Sequence, residues 1–255
     1  MQQLFRHPLI LLVASFALMA LAAWFGNSVL RKRFTLDEDS RDDFRIVQSA
    51  TLTLLALVIG FSLSMAVGRY DQRKNYEEEE ANAIGTEFIR ADLLPESTAA
   101  AIRADLARYL DLRTEYYQTR DALRVAQIDA ATADLQGRLW TSARSGAVTQ
   151  PTPVVALAVA GMNDVINTQG YTQAAWLNRI PLAAWIMMLL IGVFANVLVG
   201  YGVKNSSGKS RFLLIMPLTV SLSFMLIADI DSPRNGIIRV IPQNLISTAQ
   251  SLHKP

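Results

Sequence analysis

Four long apolar runs alternate with polar segments along the chain. They cover about residues 9–30, 46–68, 180–202 and 211–230. Each run is long enough to cross a hydrocarbon core of about 30 Å as a helix. The pattern therefore predicts an all-α membrane protein with four transmembrane helices.

The first run has a competing interpretation. Arg6 precedes it, and the sequence ALA at 20–22 resembles a signal-peptidase site, which would make the run a removable signal peptide. The run extends past a usual signal core, however, and Trp24 suits a membrane interface. Three basic residues follow at 31–33, as an anchor requires. These features favour a membrane-spanning helix.

Residues 69–179 form the longest polar region, and their apolar positions recur at helical spacing. One stripe consists of Ile102, Leu106, Tyr109, Leu110, Arg113 and Tyr117. Further helices are predicted at about 121–143 and 154–166, with a loop at 145–153. The predicted organisation is two spans in 1–68, a soluble helical region in 69–179, a transmembrane hairpin in 180–230 and a polar tail in 231–255.

Charge along the polar region also indicates helix. Arg73 and Glu77 are spaced i,i+4, as are Lys74 and Glu78, and such pairs meet on a helix surface and stabilise it slightly. We therefore expect the second span to continue as a helix into the soluble region.

Composition excludes several functional classes. Charged residues make up 18% of the chain, below the roughly 25% of soluble domains. The net charge of +2 gives no reason to expect a nucleic-acid partner. The chain has no cysteine, and its two histidines, His7 and His253, lie near the ends. No P-loop, dinucleotide-binding glycine motif, zincin motif or nucleophile elbow is present. We predict no enzyme activity, no cofactor and no metal centre built on histidine or cysteine.

The second span carries the first candidate site. Thr53, Leu57 and Phe61 are four residues apart and share one helix face. If that face lined an axis shared between subunits, it would form an apolar constriction that gates by dewetting. Spacing alone favours the alternative, in which these are ordinary packing residues.

Charged residues beyond the second and fourth spans supply two more candidates. Arg69 and Asp71 follow the second span and could form a charged pore mouth, although an interfacial arginine more often reaches headgroups or pairs with an acid. Asp229 and Asp231 end the fourth span before a turn rich in Pro, Asn and Gly. They could contribute to a cation site, but calcium needs more oxygen ligands than this turn supplies, so a structural role is favoured.

Three segments resemble a known family. The sequences FSLSMAVGRYDQR (61–73), EANAIGTEFIRADLLPE (80–96) and DIDSPRNG (229–236) are similar to the bestrophin-like family of bacterial membrane proteins. The likeness covers about 46–251. More distantly, Gly60-Phe61 and Arg69 look like the glycine, phenylalanine and arginine in the second span of bestrophin ion channels.

The resemblance implies an assembly as well as a fold. It implies a homopentamer in the bacterial inner membrane, with both termini cytoplasmic and five second spans around one pore that passes inorganic ions. By the same carry-over, Thr53, Leu57 and Phe61 correspond to the narrow neck, and the acids after the fourth span to part of a calcium clasp. The turn here lacks the following Phe and the acidic run of that clasp.

Two other hypotheses remain open at this stage. A non-conducting membrane scaffold would act by partner binding through its soluble helices. A secondary transporter would want ionisable residues within its spans, and residues between Leu9 and Leu226 supply none there. Basic residues near the spans are equally frequent on both sides, so the positive-inside rule does not set the orientation. Mutation of the second-span face separates a channel from a scaffold.

Overall fold

The computed structural model describes residues 8–34, 37–203 and 211–252, without the side chains at 38, 39 and 211. Within these ranges the chain is helical and contains no strand, which confirms the all-α class. Arg6, His7, His253 and residues 204–210, between the third and fourth apolar runs, lie outside the described residues. The helices are α1 (Pro8–Phe25), α2 (Arg31–Arg33), α3 (Glu38–Arg90), α4 (Glu96–Gln118), α5 (Ala122–Thr149), α6 (Pro153–Leu177), α7 (Leu182–Gly202), α8 (Ile215–Asp231) and α9 (Gln243–Leu252).

Two compact units divide the chain. The span unit contains Met1–Gly68 and Arg179–Ile238, and the helical unit contains Arg69–Asn178 and Arg239–Pro255. Helix α3 therefore contributes its first part to the span unit and its second part to the helical unit. Residues from Arg239 onward, expected from the sequence to be a polar tail, belong to the helical unit.

Four helical segments among the described residues are long and apolar enough to cross a bilayer. These segments contain the four apolar runs seen in the sequence. A helix in lipid satisfies its backbone groups internally and exposes apolar side chains, which is why such runs form spanning helices. The segments are Pro8–Arg33, Ser40–Leu93, Pro153–Gly202 and Phe212–Asp231.

Small residues bring α1 and α7 into close contact in the span unit. A Cβ added to Gly200 would lie 2.0 Å from the Ala23 carbonyl oxygen, and one added to Gly26 would lie 2.1 Å from the Val197 carbonyl oxygen. Such contacts allow helix backbones to approach where water cannot drive association. Gly26 begins a single π-helical turn, Gly26–Leu30, that continues α1. Asn196, the strongly polar residue of the third span, is buried and donates to the Gly192 carbonyl at 2.8 Å.

The helical unit has one hydrophobic core formed by α4, α5, α6, α9 and the second part of α3. The stripe predicted on α4 is confirmed, because all six of its residues are buried: Ile102, Leu106, Tyr109, Leu110, Arg113 and Tyr117. Tyr116, Tyr117 and Trp176 join α4 to α6, with ring centroids 5.0 to 5.9 Å apart.

Several predicted boundaries in this region are wrong. Helix α5 continues to Thr149 through the predicted loop, because Gly146 packs against Leu94 and Thr98. Helix α6 continues past Ile166 to Leu177.

The prediction that Arg73 and Glu77 pair on a helix surface is wrong, because both side chains are buried. Glu77 accepts hydrogen bonds from α9, from the Asn244 side chain at 2.7 Å and the Leu245 amide at 2.9 Å. Tertiary packing thus decides the partners of these charges.

Candidate functional site

The second span exposes one face and buries the opposite one. Within the span unit, Leu55, Ser62 and Ala66 of α3 are buried, whereas Thr53, Leu57 and Phe61 are exposed. Leu57 and Phe61 keep 52% and 63% of their surface accessible. The three residues singled out from the sequence thus lie together on an uncovered helix face.

This span is also the least covered of the four. Only 17% of its most apolar 18-residue stretch is buried, against 33% for the first span and 44% for the fourth. A large exposed apolar surface indicates a contact with lipid or with another protein. The single chain therefore leaves most of the apolar surface of the second span uncovered.

The hydroxyls on this span do not create a polar face. Thr53 donates to the Ser49 carbonyl at 2.9 Å, and Thr51 donates to the Val47 carbonyl at 2.8 Å. A threonine that bonds to the preceding turn presents its methyl group rather than a free donor. The exposed face at Thr53, Leu57 and Phe61 is accordingly apolar in character.

Arg69 and Asp71 belong to the helical unit and differ in environment. Arg69 is half-buried, and its carbonyl accepts a hydrogen bond from Arg73 Nε at 3.1 Å. Asp71 is exposed on α3. Their assignment to a pore mouth stays a prediction.

Asp229 and Asp231 are occupied by backbone amides. Ile237 and Ile238 each donate to Asp229 at 2.8 Å, one to each carboxylate oxygen. The Ile180 amide lies 3.2 and 3.3 Å from the two oxygens of Asp231. Gly236 fits this turn because a Cβ there would lie 2.4 Å from the Asp229 carbonyl oxygen. Asp229 thus folds the chain back after α8, whereas Asp231 ties the end of α8 to Ile180, just before α7.

This donor set does not fit a calcium clasp. Calcium takes six to eight oxygen ligands. Among the described residues no group of three or more acidic, histidine or cysteine side chains is arranged to hold a metal. Asp229 already accepts from the turn amides and Asp231 from the Ile180 amide, so both carboxylates have structural partners.

A buried ion pair in the helical unit is absent from the sequence predictions. Arg113 Nε of α4 donates to Glu80 Oε1 of α3, and both side chains are fully buried. Thr172 of α6 donates to the other Glu80 oxygen at 3.1 Å. Burial alone would lower the pKa of Arg113, but the Glu80 carboxylate, together with Tyr109 and Tyr117, raises that pKa.

The sequence held one signal for this pair. Arg113 lies in an otherwise apolar and aromatic stripe, and a charge on a buried face requires a partner. The four glutamates at 77–80 offer that partner, and two of them, Glu77 and Glu80, are buried. Which glutamate pairs with Arg113 depends on the packing of α3 against α4.

A second buried carboxyl, Glu87, lies further along α3 and has no hydrogen-bond partner among the described residues. Burial raises the pKa of Glu87 to about 8. Glu87 lies in the family-like segment 80–96, but the sequence does not show that its carboxyl group is buried, because that burial follows from the fit of α3 against α6.

The fold defines a class of protein: a helical membrane protein with four segments able to span a bilayer and a separate helical unit. A family model described as the bestrophin-like domain matches residues 11–245. The chain therefore belongs to the bestrophin-like family, and the resemblance noted in its sequence is confirmed.

Solved structures share this fold. A point mutant of a bacterial bestrophin homologue from Klebsiella pneumoniae has a TM-score of 0.64 at 14% identity, covering 96% of this chain and 97% of its own. A second mutant of that homologue has a TM-score of 0.63 at 12% identity, covering 94% and 97%. At these identities the likeness concerns the fold. A comparison with curated protein sequences found no significant match.

Proposed function

We propose that this protein is a passive ion channel of the bestrophin type, in which several copies place their second spans around one central pore. The observation that carries the proposal is the exposed face of Thr53, Leu57 and Phe61 on the least covered span. Family membership and the fold of the bacterial bestrophin homologues support it.

The neck of this channel is apolar. Leu57 and Phe61 from each copy would form stacked rings, with Thr53 one turn away on the same face. Narrow apolar constrictions gate ions by excluding water rather than by closing a charged barrier. Because the Thr53 hydroxyl bonds to its own helix, it adds little polarity to the neck.

The assembly completes the proposal. Five copies are expected by the family resemblance, in the bacterial inner membrane with both termini cytoplasmic. Arg69 and Asp71 would then contribute charge at the pore mouth. Asp229 holds the turn after the fourth span and Asp231 holds Ile180, and the proposed channel needs no calcium bound to them.

Cysteine modification tests the neck, because the chain has no cysteine of its own. Leu57→Cys and Phe61→Cys variants are reconstituted in liposomes, and ion flux is measured before and after a charged, water-soluble thiol reagent is added. We expect each modification to change the flux by about tenfold or more, since a charge then occupies a dewetted constriction.

The matched control is Val13→Cys on α1, whose side chain is 69% exposed. We expect the reagent to leave its flux unchanged. If wild-type liposomes show no flux, or if modification of Leu57→Cys and Phe61→Cys changes nothing, the channel proposal is wrong. The scaffold hypothesis, with the helical unit as the working part, would then be favoured.

A further inference from the structure

Glu87 occupies an unusual position between α3 and α6 of the helical unit. Its side chain is fully buried, and neither carboxyl oxygen has a hydrogen-bond donor among the residues that the structure describes. A buried ionised carboxylate normally requires charged or hydrogen-bonding partners. The position therefore suits a neutral carboxyl group better than a charged one.

Gly161 of α6 makes room for this carboxyl group. A Cβ added to Gly161 would lie 2.0 Å from Glu87 Oε2 and 2.7 Å from Arg90 Nη1. Any other residue would push both side chains away from α6. The absence of a side chain at 161 thus lets Glu87 pack directly against the α6 backbone.

Two charged groups face Glu87, and they oppose each other. Arg90, one turn further along α3, favours the ionised carboxylate, whereas Asp164 on α6 disfavours it. Burial is the largest influence and acts in the same direction as Asp164. The raised pKa of Glu87 agrees with the lack of donors seen in the geometry.

A groove open to water lies next to this buried site. The groove has a volume of about 450 Å³, and its lining includes Arg90, Gly161 and Asp164. Glu79 and Asn82 of α3 continue the same lining, and both are exposed. A small separation of α6 from α3 would join the Glu87 carboxyl to this water.

We propose that Glu87 is a proton-binding site that holds α3 and α6 together in its neutral form, and that loss of the proton opens this contact to the groove. A neutral carboxyl can remain buried against Gly161. An ionised one recovers hydration only when α6 moves away, because none of the described residues donates a hydrogen bond in place of the lost water.

The direction of the pH effect follows from linkage. The pKa of Glu87 is raised from 4.5 to about 8 in the closed state, whereas an opened, hydrated carboxyl titrates near 4.5. Opening therefore releases one proton between these values. The closed contact is most stable below pH 4.5, and its opening constant rises by about tenfold per pH unit until about pH 8.

Hydrogen exchange of α6 peptides in the full-length, detergent-purified protein measures this opening. Wild type and Glu87→Gln are compared across the same pH series, which cancels the intrinsic pH dependence of exchange. Glutamine keeps the shape of the neutral carboxyl and cannot ionise. We divide the opening constant of the wild type by that of Glu87→Gln at each pH. We expect this ratio to rise about tenfold per pH unit between pH 4.5 and about pH 8.

Glu77 also has a raised pKa, for which burial is the main cause. Its titration contributes equally to wild type and Glu87→Gln, so the comparison of the two proteins removes it. Glu78→Gln is the matched control, since it removes an exposed glutamate from the same helix. It is expected to follow the wild type. Equal pH dependence in wild type and Glu87→Gln would overturn the proposal, as would failure of Glu87→Gln to fold, because the neutral side chain is the proposed native form.

Infrared spectroscopy of the wild type gives an independent result. A protonated carboxyl with no hydrogen-bond partner has a distinct carbonyl band, which we expect to be present below about pH 8 and lost above it. The Glu78→Gln variant keeps that band. A wild-type spectrum without it at neutral pH would refute the proposal even if no Glu87 variant were made.

A consequence for ion flux rests on the proposed channel. Because α3 is the proposed pore-lining helix, flux in liposomes should change with a midpoint near pH 8 in wild type and lose that dependence in Glu87→Gln. If wild-type liposomes show no flux, the channel proposal fails, while hydrogen exchange and the infrared band still decide whether Glu87 binds a proton.

Discussion

Replacing Arg113 by methionine removes one partner of the buried ion pair in the helical unit. Methionine retains much of the length of the arginine stem and has no charge. In the native chain the Arg113 guanidinium pairs with Glu80 and lies 4.3 Å from the centroid of the Tyr116 ring. The substitution therefore leaves the Glu80 carboxylate buried without its counter-charge.

The expected cost is large because both side chains are fully buried. Removing one member of a buried ion pair typically costs about 3–5 kcal/mol, mainly through the uncompensated charge that remains. The Thr172 hydroxyl still donates to Glu80 and offsets only part of that cost. In the double variant Glu80→Gln/Arg113→Met neither position of the pair carries a charge. We therefore expect the double variant to be more stable than Arg113→Met alone.

Hydrogen exchange of α4 and α6 peptides reports the opening free energy of the helical unit in the full-length protein. The control is Arg124→Met, which breaks the exposed Arg124–Glu115 pair and is expected to have little effect. Two results would refute the reasoning: a cost for Arg113→Met as small as that of the control, or a double variant less stable than Arg113→Met.

Three further substitutions test other parts of the structure. Gly200→Leu should prevent α1 from packing on α7 and change the elution profile in detergent, since its Cβ alone would lie 2.0 Å from a carbonyl oxygen. The control Gly170→Ala should leave that profile unchanged, because a Cβ at residue 170 has no atom within 4 Å. Asp229→Ala leaves the Ile237 and Ile238 amides without their acceptor and should destabilise the turn by about 1–3 kcal/mol, measured by thermal unfolding against the exposed control Asp71→Ala. Trp176→Ala should destabilise the helical unit by about 3–5 kcal/mol, because the buried ring packs on Tyr116 and Tyr117. In the same hydrogen-exchange assay, Trp140→Ala should cost much less, because Trp140 is more exposed.

Hydrophobic periodicity was sufficient for the class and the main helices. Long apolar runs can satisfy their backbone groups in lipid only as helices, so the spans followed from length and composition. The stripe from Ile102 to Tyr117 was likewise predictable, because its spacing requires one buried face.

The helix ends and the buried charges needed the tertiary structure. Gly146 weakens a helix locally, yet its contact with Leu94 and Thr98 keeps α5 intact. The buried face of α3 in the helical unit includes Arg73, Glu77 and Glu80, which a search for apolar periodicity cannot recognise. Glu87 can pack against the α6 backbone because position 161 has no side chain.

The exposed face of the second span was identified from spacing, but spacing alone favoured packing within the chain. The structure leaves Leu57 and Phe61 uncovered in the single chain, so their packing partner lies outside it. Lipid, a second copy of the chain and a pore are the environments available to them.

The most direct test of the pore is an electron cryomicroscopy structure of the full-length protein in a lipid nanodisc. The proposal predicts a closed ring of five copies, with Thr53, Leu57 and Phe61 of every copy facing the symmetry axis. A monomer, or an oligomer in which this face of the second span contacts lipid, would contradict it.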